Sequence, residues 1–475
     1  MTLDLADIQG NLLRGYRCAN ARHFALGVAE ASGARRFLAG LVSGDEHSSP
    51  QITSAQEWDA KPHYCLNLGL TWEGLAALGV APAVLADFPS AFREGAAQRA
   101  KDRDPDFPDG VGLGDVGNSA PGHWSLGGSR TPTVHIVLSL YTDEHRVRRL
   151  DEVSARLRAL SAVHGLTEIS THDANALPNG TVHFGYRDGI AQPHIESGSS
   201  RHFHDMQPEA QTGDFLLGCD YTNIYGGNFL GNLPHALGDN ACYAAVRILR
   251  QDVHGFEALL KRWAALWRLD PELIAAKLVG RWRNGLPLTL SPEGGPTDPP
   301  IRESDLNNFD YAPAPGHTTF YDDADGRRCP IGAHIRRLNP RSSLVMGQPH
   351  SRRLVRRSMP YGPPFDPAQP ADGVERGLVG LFLCGDLELQ YEFILRVWAN
   401  EDLSTSGLRG TRDPILGAQP AAGGRFVVRT ADGRDPIVMT GLPRLVQTLG
   451  SVYCLVPGIG GVRWLAAVSP EPDQR

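Results

Sequence analysis

The sequence predicts an α+β protein made of two ferredoxin-like domains, each an antiparallel sheet with peripheral helices. Two observations predict it: the order of strand-like and helix-like apolar patterns in the first half, and the return of a similar order in the second. At 475 residues the chain has length for two or three domains and for a large core. In the first half, residues 23–29 read as a strand. Residues 34–42 follow with Phe37, Leu38 and Leu41 at helical spacing. Residues 64–70 alternate apolar and polar like a strand, and Thr71 can cap a short helix through residue 78. Residues 134–141 form the next strand pattern. Residues 144–163 carry Val147, Leu150, Val153, Leu157 and Leu160 on one helical face, and residues 165–171 return as a strand. The order βα, ββ, αβ is ferredoxin-like. In the second half, strand patterns at 242–249, 379–384 and 452–456 and helical patterns at 253–267 and 387–398 repeat the theme. Domains are therefore expected over residues 1–205 and 206–475.

Two stretches, about 102–131 and about 286–325, are rich in Gly, Pro and Asp and read as long insertions. Asp104, Asp106, Asp109 and Asp115 lack the acidic terminal ligand of a calcium loop, so the first stretch is expected to be solvated surface.

Composition narrows the function classes. Hydrophobic residues at 41% and charged residues at 21% are those of a soluble globular protein. A net charge of −7 disfavours a nucleic-acid partner. No stretch has the apolar length of a membrane helix. The first residues have neither the basic region nor the apolar core of a secretory signal, which predicts a cytoplasmic protein. The seven cysteines are odd in number and form no Cys-x-x-Cys, against both a disulfide framework and a thiolate zinc site. Covalent haem attachment through Cys-x-x-Cys-His is likewise excluded. There is no His-Glu-x-x-His, no Gly-x-Ser-x-Gly elbow and no phosphate loop. A homo-oligomer is compatible with all of this.

Three segments carry chemistry. The first is Cys329-Pro330-Ile331-Gly332-Ala333-His334-Ile335-Arg336-Arg337-Leu338-Asn339-Pro340-Arg341. A neutral imidazole is a good iron ligand, and the arginines around it suit an anionic cofactor. Alone, this is as well read as a short helix with a buried histidine. The second is Gly185-Tyr186-Arg187-Asp188-Gly189, continuing Ile190-Ala191-Gln192-Pro193; Asp-Gly by itself is an ordinary turn pair. The third is Arg352-Arg353-Leu354-Val355-Arg356-Arg357-Ser358-Met359-Pro360-Tyr361-Gly362, which by itself reads as a basic run.

Together and in this order, the three segments resemble the dye-decolourising peroxidases. The resemblance extends to Asp7-Ile8-Gln9-Gly10-Asn11, Phe215-Leu216-Leu217-Gly218, Gly280-Arg281-Trp282, and Gln390-Tyr391-Glu392-Phe393 with Trp398-Ala399-Asn400, nearly the whole chain. It implies paired ferredoxin-like domains with non-covalent haem b in the second. His334 would be the proximal iron ligand, Asp188 the acid/base and Arg356 the distal cation, with Arg357 as the neighbouring alternative. Ser358 would be a hydrogen-bond donor in the pocket. Arg341 would meet a haem propionate. Asp413, or else Glu392, would accept the other ring proton of His334. Leu381, Phe382 and Leu383 lie on the strand that resembles the distal wall. The implied activity is reduction of hydrogen peroxide with one-electron oxidation of dyes and phenolic donors, best in mild acid because a carboxylate, not a histidine, is the base. The rival is a haem-binding, storage or haem-processing protein without turnover; Asp188 and Arg356 together disfavour it, since passive binding needs neither.

Overall fold

In a computed structural model, the chain is described over residues 3–100, 112–196, 207–219, 231–295, 300–312, 322–343, 350–402, 408–430, 433 and 435–468. The first half supplies β1 (Asn20–Val28), α1 (Ala31–Leu41), β2 (Cys65–Leu70), α2 (Ser90–Arg99), β3 (Ile136–Thr142), α3 (Val147–Val163) and β4 (Leu166–Asn175). The second supplies β5 (Cys242–Gln251), α4 (Val253–Trp267), α5 (Pro271–Val279), α6 (His334–Leu338), β6 (Val355–Arg356), β7 (Met359–Tyr361), β8 (Gly377–Cys384), the β9–β10 pair (Gly424–Val428, Ile437–Leu442), β11 (Val446–Val456) and α7 (Ile459–Ala467).

Both halves have the ferredoxin-like order. The strands run β4-β1-β3-β2 in the first and β11-β5-β8-β6 in the second, all antiparallel, with β7 also on β8. The two sheets join edge to edge where β2 meets β11 at Leu70 and Leu455. Joining removes two of the unpaired edges that separate sheets would expose. The N-terminal segment laces this seam: Gln9 Nε2 donates to the carbonyls of Leu68 and Pro457, each at 2.9 Å, and the Ile459 amide donates to Asp7 O at 2.7 Å. The boundary expected at 205/206 lies outside the described residues.

Strand alternation divides the core between the two faces of the sheet. Leu66, Leu68 and Leu70 of β2 pack with Phe37, Leu38, Leu41, Leu150, Val153 and Leu157 of α1 and α3 on one face. Cys65 of β2 joins Leu381 and Leu383 of β8, Val452 and Cys454 on the other. β2 and β3 are buried at every position, so the polar residues that alternate in β2, such as Asn67, lie inside the protein.

The described parts of the insertions are not loose surface. Asp115 is only 4% exposed; it pairs with Arg247 of β5 and accepts from Thr448 Oγ1 at 2.6 Å. That corrects the solvated reading for this residue. Asp104, Asp106 and Asp109 lie outside the described residues. In the second insertion Leu288, Phe309 and Tyr311 form a small core with Ala276, Cys329 and Ala333, directly beneath α6. The helix expected over 387–398 is wound as two π-type segments, Leu387–Glu392 and Ile394–Ala399.

Candidate active site

His334 opens α6, a helix of five residues. The three arginines around it are each bound to the surrounding protein, and Arg336 keeps a buried Nε without a hydrogen-bond partner among the described residues. Arg336 is fully buried; it donates to the carbonyls of Asp323 and Cys329 at 2.9 and 2.8 Å, and its guanidinium stacks 4.3 Å from the Tyr311 ring centroid. Arg337 donates to the carbonyls of Trp398 and Glu401, each at 2.7 Å. Arg341 has a left-handed backbone (φ 55°). Its guanidinium donates to Asn307 O at 3.0 Å and to Phe309 O, and lies 3.7 Å from the Phe309 centroid. Arg341, expected to meet a haem propionate, holds the loop under α6 through Asn307 and Phe309. Most of these bonds are to main-chain carbonyls, and Arg341 also donates to Asn307 Oδ1 at 2.6 Å.

Of the two candidate partners for His334, Asp413 is the one in contact. His334 Nδ1 lies 3.0 Å from both carboxylate oxygens. Asp413 is fully buried and also accepts from the amides of Ile415 at 2.9 Å and Leu416 at 2.7 Å. Burial pushes its acidity toward the neutral form, but His334, the Leu416 amide and Arg337 outweigh it and hold the carboxyl below its ordinary range. With Nδ1–H committed to a carboxylate, the tautomer leaves the Nε2 lone pair for a ligand. The ring is 24% exposed. Glu392 is elsewhere: it takes Arg99 Nε at 3.0 Å and the Tyr453 hydroxyl at 3.0 Å.

Asp188 sits in a tight loop whose turn requires a left-handed Gly185 (φ 83°), where a Cβ would come within 2.5 Å of Arg283 Nη1. The Asp188 amide donates to Gly180 O at 3.0 Å. Its carboxylate is exposed and has no hydrogen-bond partner among the described residues. Arg356 lies on β6 at the sheet edge, opposite Phe382 of β8. Its guanidinium donates to Ala191 O, and its backbone pairs twice with the Gln192 side chain, N–H to Oε1 at 3.1 Å and O from Nε2 at 2.9 Å. Burial lowers the pKa of Arg356, and the negative charge of Asp188 works in the opposite sense. Arg357 points to the other face, donating to the carbonyls of Asn11 and Leu12 at 2.7 and 3.0 Å. Of the two neighbouring arginines, Arg356 is thus the one beside Asp188.

The same alternation corrects Leu381 and Leu383. They lie in the core with Val355 on the face away from Arg356. Phe382 shares the Arg356 face, since directly opposed residues of an antiparallel pair project to the same side. Ser358 makes no side-chain hydrogen bond among the described residues, and its position is partly exposed.

The hairpin at Arg281–Gly285 ties these pieces together. Gly280, its entry, packs on Ile335 beside His334, and Gly285 packs on Ile190 of the Asp188 loop. The Arg187 amide donates to Arg283 O at 3.1 Å. Arg281 is buried, pushed down to about 9 by desolvation and then by Arg341 and Arg356. Arg353 is pushed down to about 10 by desolvation and by Arg341. Arg281 Nη2 and Arg353 Nε are among the buried guanidinium atoms that have no hydrogen-bond partner among the described residues. Buried arginines that repel one another and keep unmet donors form a cradle that fits a dianion. A haem, with two propionates and an iron that takes an imidazole nitrogen, matches this donor set. Arg281 and Gln192 were not singled out from the sequence, though both stand inside quoted motifs. Which of Leu381, Phe382 and Leu383 shares the Arg356 face needed the strand register.

No family model matches the chain. Among curated proteins, the chain is 29% identical over 486 residues to Peroxidase 2 of Mycetinis scorodonius, covering 97% of this chain and 87% of that one. It is 28% identical over 490 residues to the dye-decolorizing peroxidase of Exidia glandulosa, with the same coverages. It is also 28% identical over 501 residues to a multifunctional dye peroxidase of an Amycolatopsis species, covering 97% of this chain and 96% of that one. A solved decolorizing peroxidase from Auricularia auricula-judae superposes with a TM-score of 0.76 at 23% identity over 98% of this chain and 100% of that one, which shows the shared fold.

Proposed function

We propose that this chain belongs to the dye-decolourising peroxidases and is a haem peroxidase, reducing hydrogen peroxide while oxidising dyes and phenolic donors one electron at a time. The observation that carries the reading is the His334–Asp413 pair: a histidine with one nitrogen locked to a buried carboxylate and the other free, in a chain that matches named peroxidases over 97% of its length. A solved relative from the same family, 24% identical to this chain, holds 2,6-dimethoxyphenol, which supports the phenolic donor class.

The residues present fit a non-covalent haem b. His334 Nε2 would take the iron, and Arg281 and Arg353, with their unmet donors, would take the carboxylates. Bound there, the group supplies the iron that accepts two electrons' worth of oxidation from peroxide. The chain supplies the rest. Asp188 would accept a proton from one oxygen of peroxide and return it to the other. Arg356 holds positive charge where the departing oxygen becomes negative. Ala191 and Gln192 keep that charge in place. Asp413 makes the His334 ring a stronger donor. The seven cysteines are free thiols, six of them buried, which supports a reducing compartment for the chain. No helix among the described residues is long and apolar enough to cross a membrane.

The test is haem titration followed by peroxide. The full chain should bind one haem, and its Soret band should change within milliseconds of peroxide addition and recover when a phenol is added. A haem-loaded protein whose spectrum ignores peroxide would be a carrier instead.

A further inference from the structure

Resting on the peroxidase reading above, we infer that Gln192 is a positioning residue for the peroxide step: its side-chain amide locks the backbone of Arg356 at the open edge of the sheet and so fixes the distal cation relative to Asp188.

β6 is the last strand of the sheet and only two residues long. In an antiparallel pair the backbone groups of successive residues alternate, one toward the neighbouring strand and one away from it. The Arg357 amide donates to Leu381 O at 2.8 Å, so Arg357 faces β8. The N–H and C=O of Arg356 therefore face outward, at an edge with no further strand. Left alone, they would have to find water or stay unpaired, at a cost for buried groups. Gln192 meets both. Oε1 accepts from Arg356 N–H at 3.1 Å, and Nε2 donates to Arg356 O at 2.9 Å. One amide side chain thus acts as a one-residue strand.

The preceding residue completes the grip. Ala191 O accepts from the Arg356 guanidinium, so adjacent residues hold both the backbone and the charged end of one arginine. Asp188 lies three residues upstream in the same loop and makes no hydrogen bond of its own to Arg356. The spacing between base and cation is therefore set through the loop, by Gln192. A misplacement of about 1 Å in such a constellation can cost about a hundredfold in rate.

The experiment compares haem-loaded full-length wild type, Gln192→Met, Gln192→Glu, Arg356→Leu and Gln192→Met/Arg356→Leu. Methionine keeps the length and removes both hydrogen bonds. Glutamate keeps the acceptor for Arg356 N–H and loses the donor. Two readouts are taken: the second-order rate with peroxide, and the dissociation constant and C–N stretch of cyanide bound to the ferric protein. Gln192→Met should slow the peroxide reaction about 10- to 100-fold and weaken cyanide binding, while haem content and the urea midpoint hold. Gln192→Glu should fall between it and wild type. The double variant should be no worse than Arg356→Leu alone, because both changes disable one unit. Wild-type rate and cyanide affinity in Gln192→Met, or losses that add in full in the double variant, overturn the clamp. If Gln192→Met fails to load haem, Gln192→Glu decides by the same two comparisons. A wild type inert to peroxide would sink the peroxidase reading, and the cyanide arm would still decide the clamp.

Discussion

A residue's chemistry depends on which groups it faces, and at this site facing is set by hydrogen bonds to buried carboxylates and to main-chain carbonyls. His334→Ala removes the free imidazole nitrogen and should abolish most haem retention, read by haem titration; a variant with normal haem content and an unchanged Soret band removes His334 from the site. Asp413→Ala should keep the ring but release its tautomer, weakening haem or activity by about 10- to 100-fold. Arg356→Leu should leave haem bound and slow the peroxide step by about 10²–10³-fold, the scale of losing one preorganised donor at a developing negative charge. Arg357→Leu, on the opposite face, should leave that step near wild type and instead loosen the N-terminal segment; the reverse pattern in stopped-flow rates would exchange the roles of the two. Residue identities at the site were legible because the motifs name them. Directions were not. Arg341 reads as a cation beside a cofactor, and its guanidinium turns toward Asn307 and Phe309. Leu381 and Leu383 read as pocket wall, yet a strand places only alternate residues on one face, and here that residue is Phe382.

Elements carry the site at their ends, so the ends matter more than the middles. The amphipathic α3 and α4 and the buried strands β5 and β8 follow directly from apolar spacing. The two-residue β6 could not be found that way, because no periodicity exists in two residues, and the basic run around it reads as surface. The π-type winding after Asp386 is equally invisible, since its apolar pattern still resembles an α-helix. The C-terminus of α5 shows how an element end holds the site. Gly280 caps it at φ 96°, and a Cβ there would lie 2.5 Å from Ile335 Cγ1, next to His334. Gly280→Ala must pay for the left-handed backbone and displace Ile335, a loss of about 1–3 kcal/mol. The urea midpoint should fall accordingly, and haem affinity should fall with it because Ile335 and His334 move together. A variant with wild-type midpoint and haem affinity would mean that α6 is not braced by this turn.

At the scale of the whole molecule, the sheet joins two halves of which one carries Asp188 and the other His334 and Arg356, so the site exists only while the entire sheet does. The duplication was legible in the order of elements; the joining of the sheets at Leu70 and Leu455 was not, because edge pairing leaves no periodic signal. Stability of the whole therefore limits the conditions in which the site can work, and acid is the sensitive direction. His23, in the middle of β1, is buried against Ser139 and Tyr141, and burial, reinforced by His172, pushes its pKa down to about 4 from an ordinary 6.5. His135, His172 and His183 are lowered in the same sense by burial. The unfolded chain then binds more protons than the folded one between about 4 and 6.5. The contribution is complete above 6.5 and is lost as pH falls toward 4, up to about 3 kcal/mol for His23. Asp323 and Asp386, raised by burial, act the other way and recover part of the loss. The proposed peroxidase reading, with a carboxylate rather than a histidine as base, predicts that activity and stability diverge there: turnover highest near pH 4–5 in short assays, with the unfolding midpoint already falling. Urea unfolding at pH 7, 5.5 and 4.5 reads the second half of this directly. His23→Gln, which keeps a polar partner for Ser139 but cannot be protonated, should lower the midpoint somewhat at pH 7 and give a shallower decline toward pH 4.5. If its decline is as steep as wild type, the acid sensitivity of the sheet comes from other groups and not from His23.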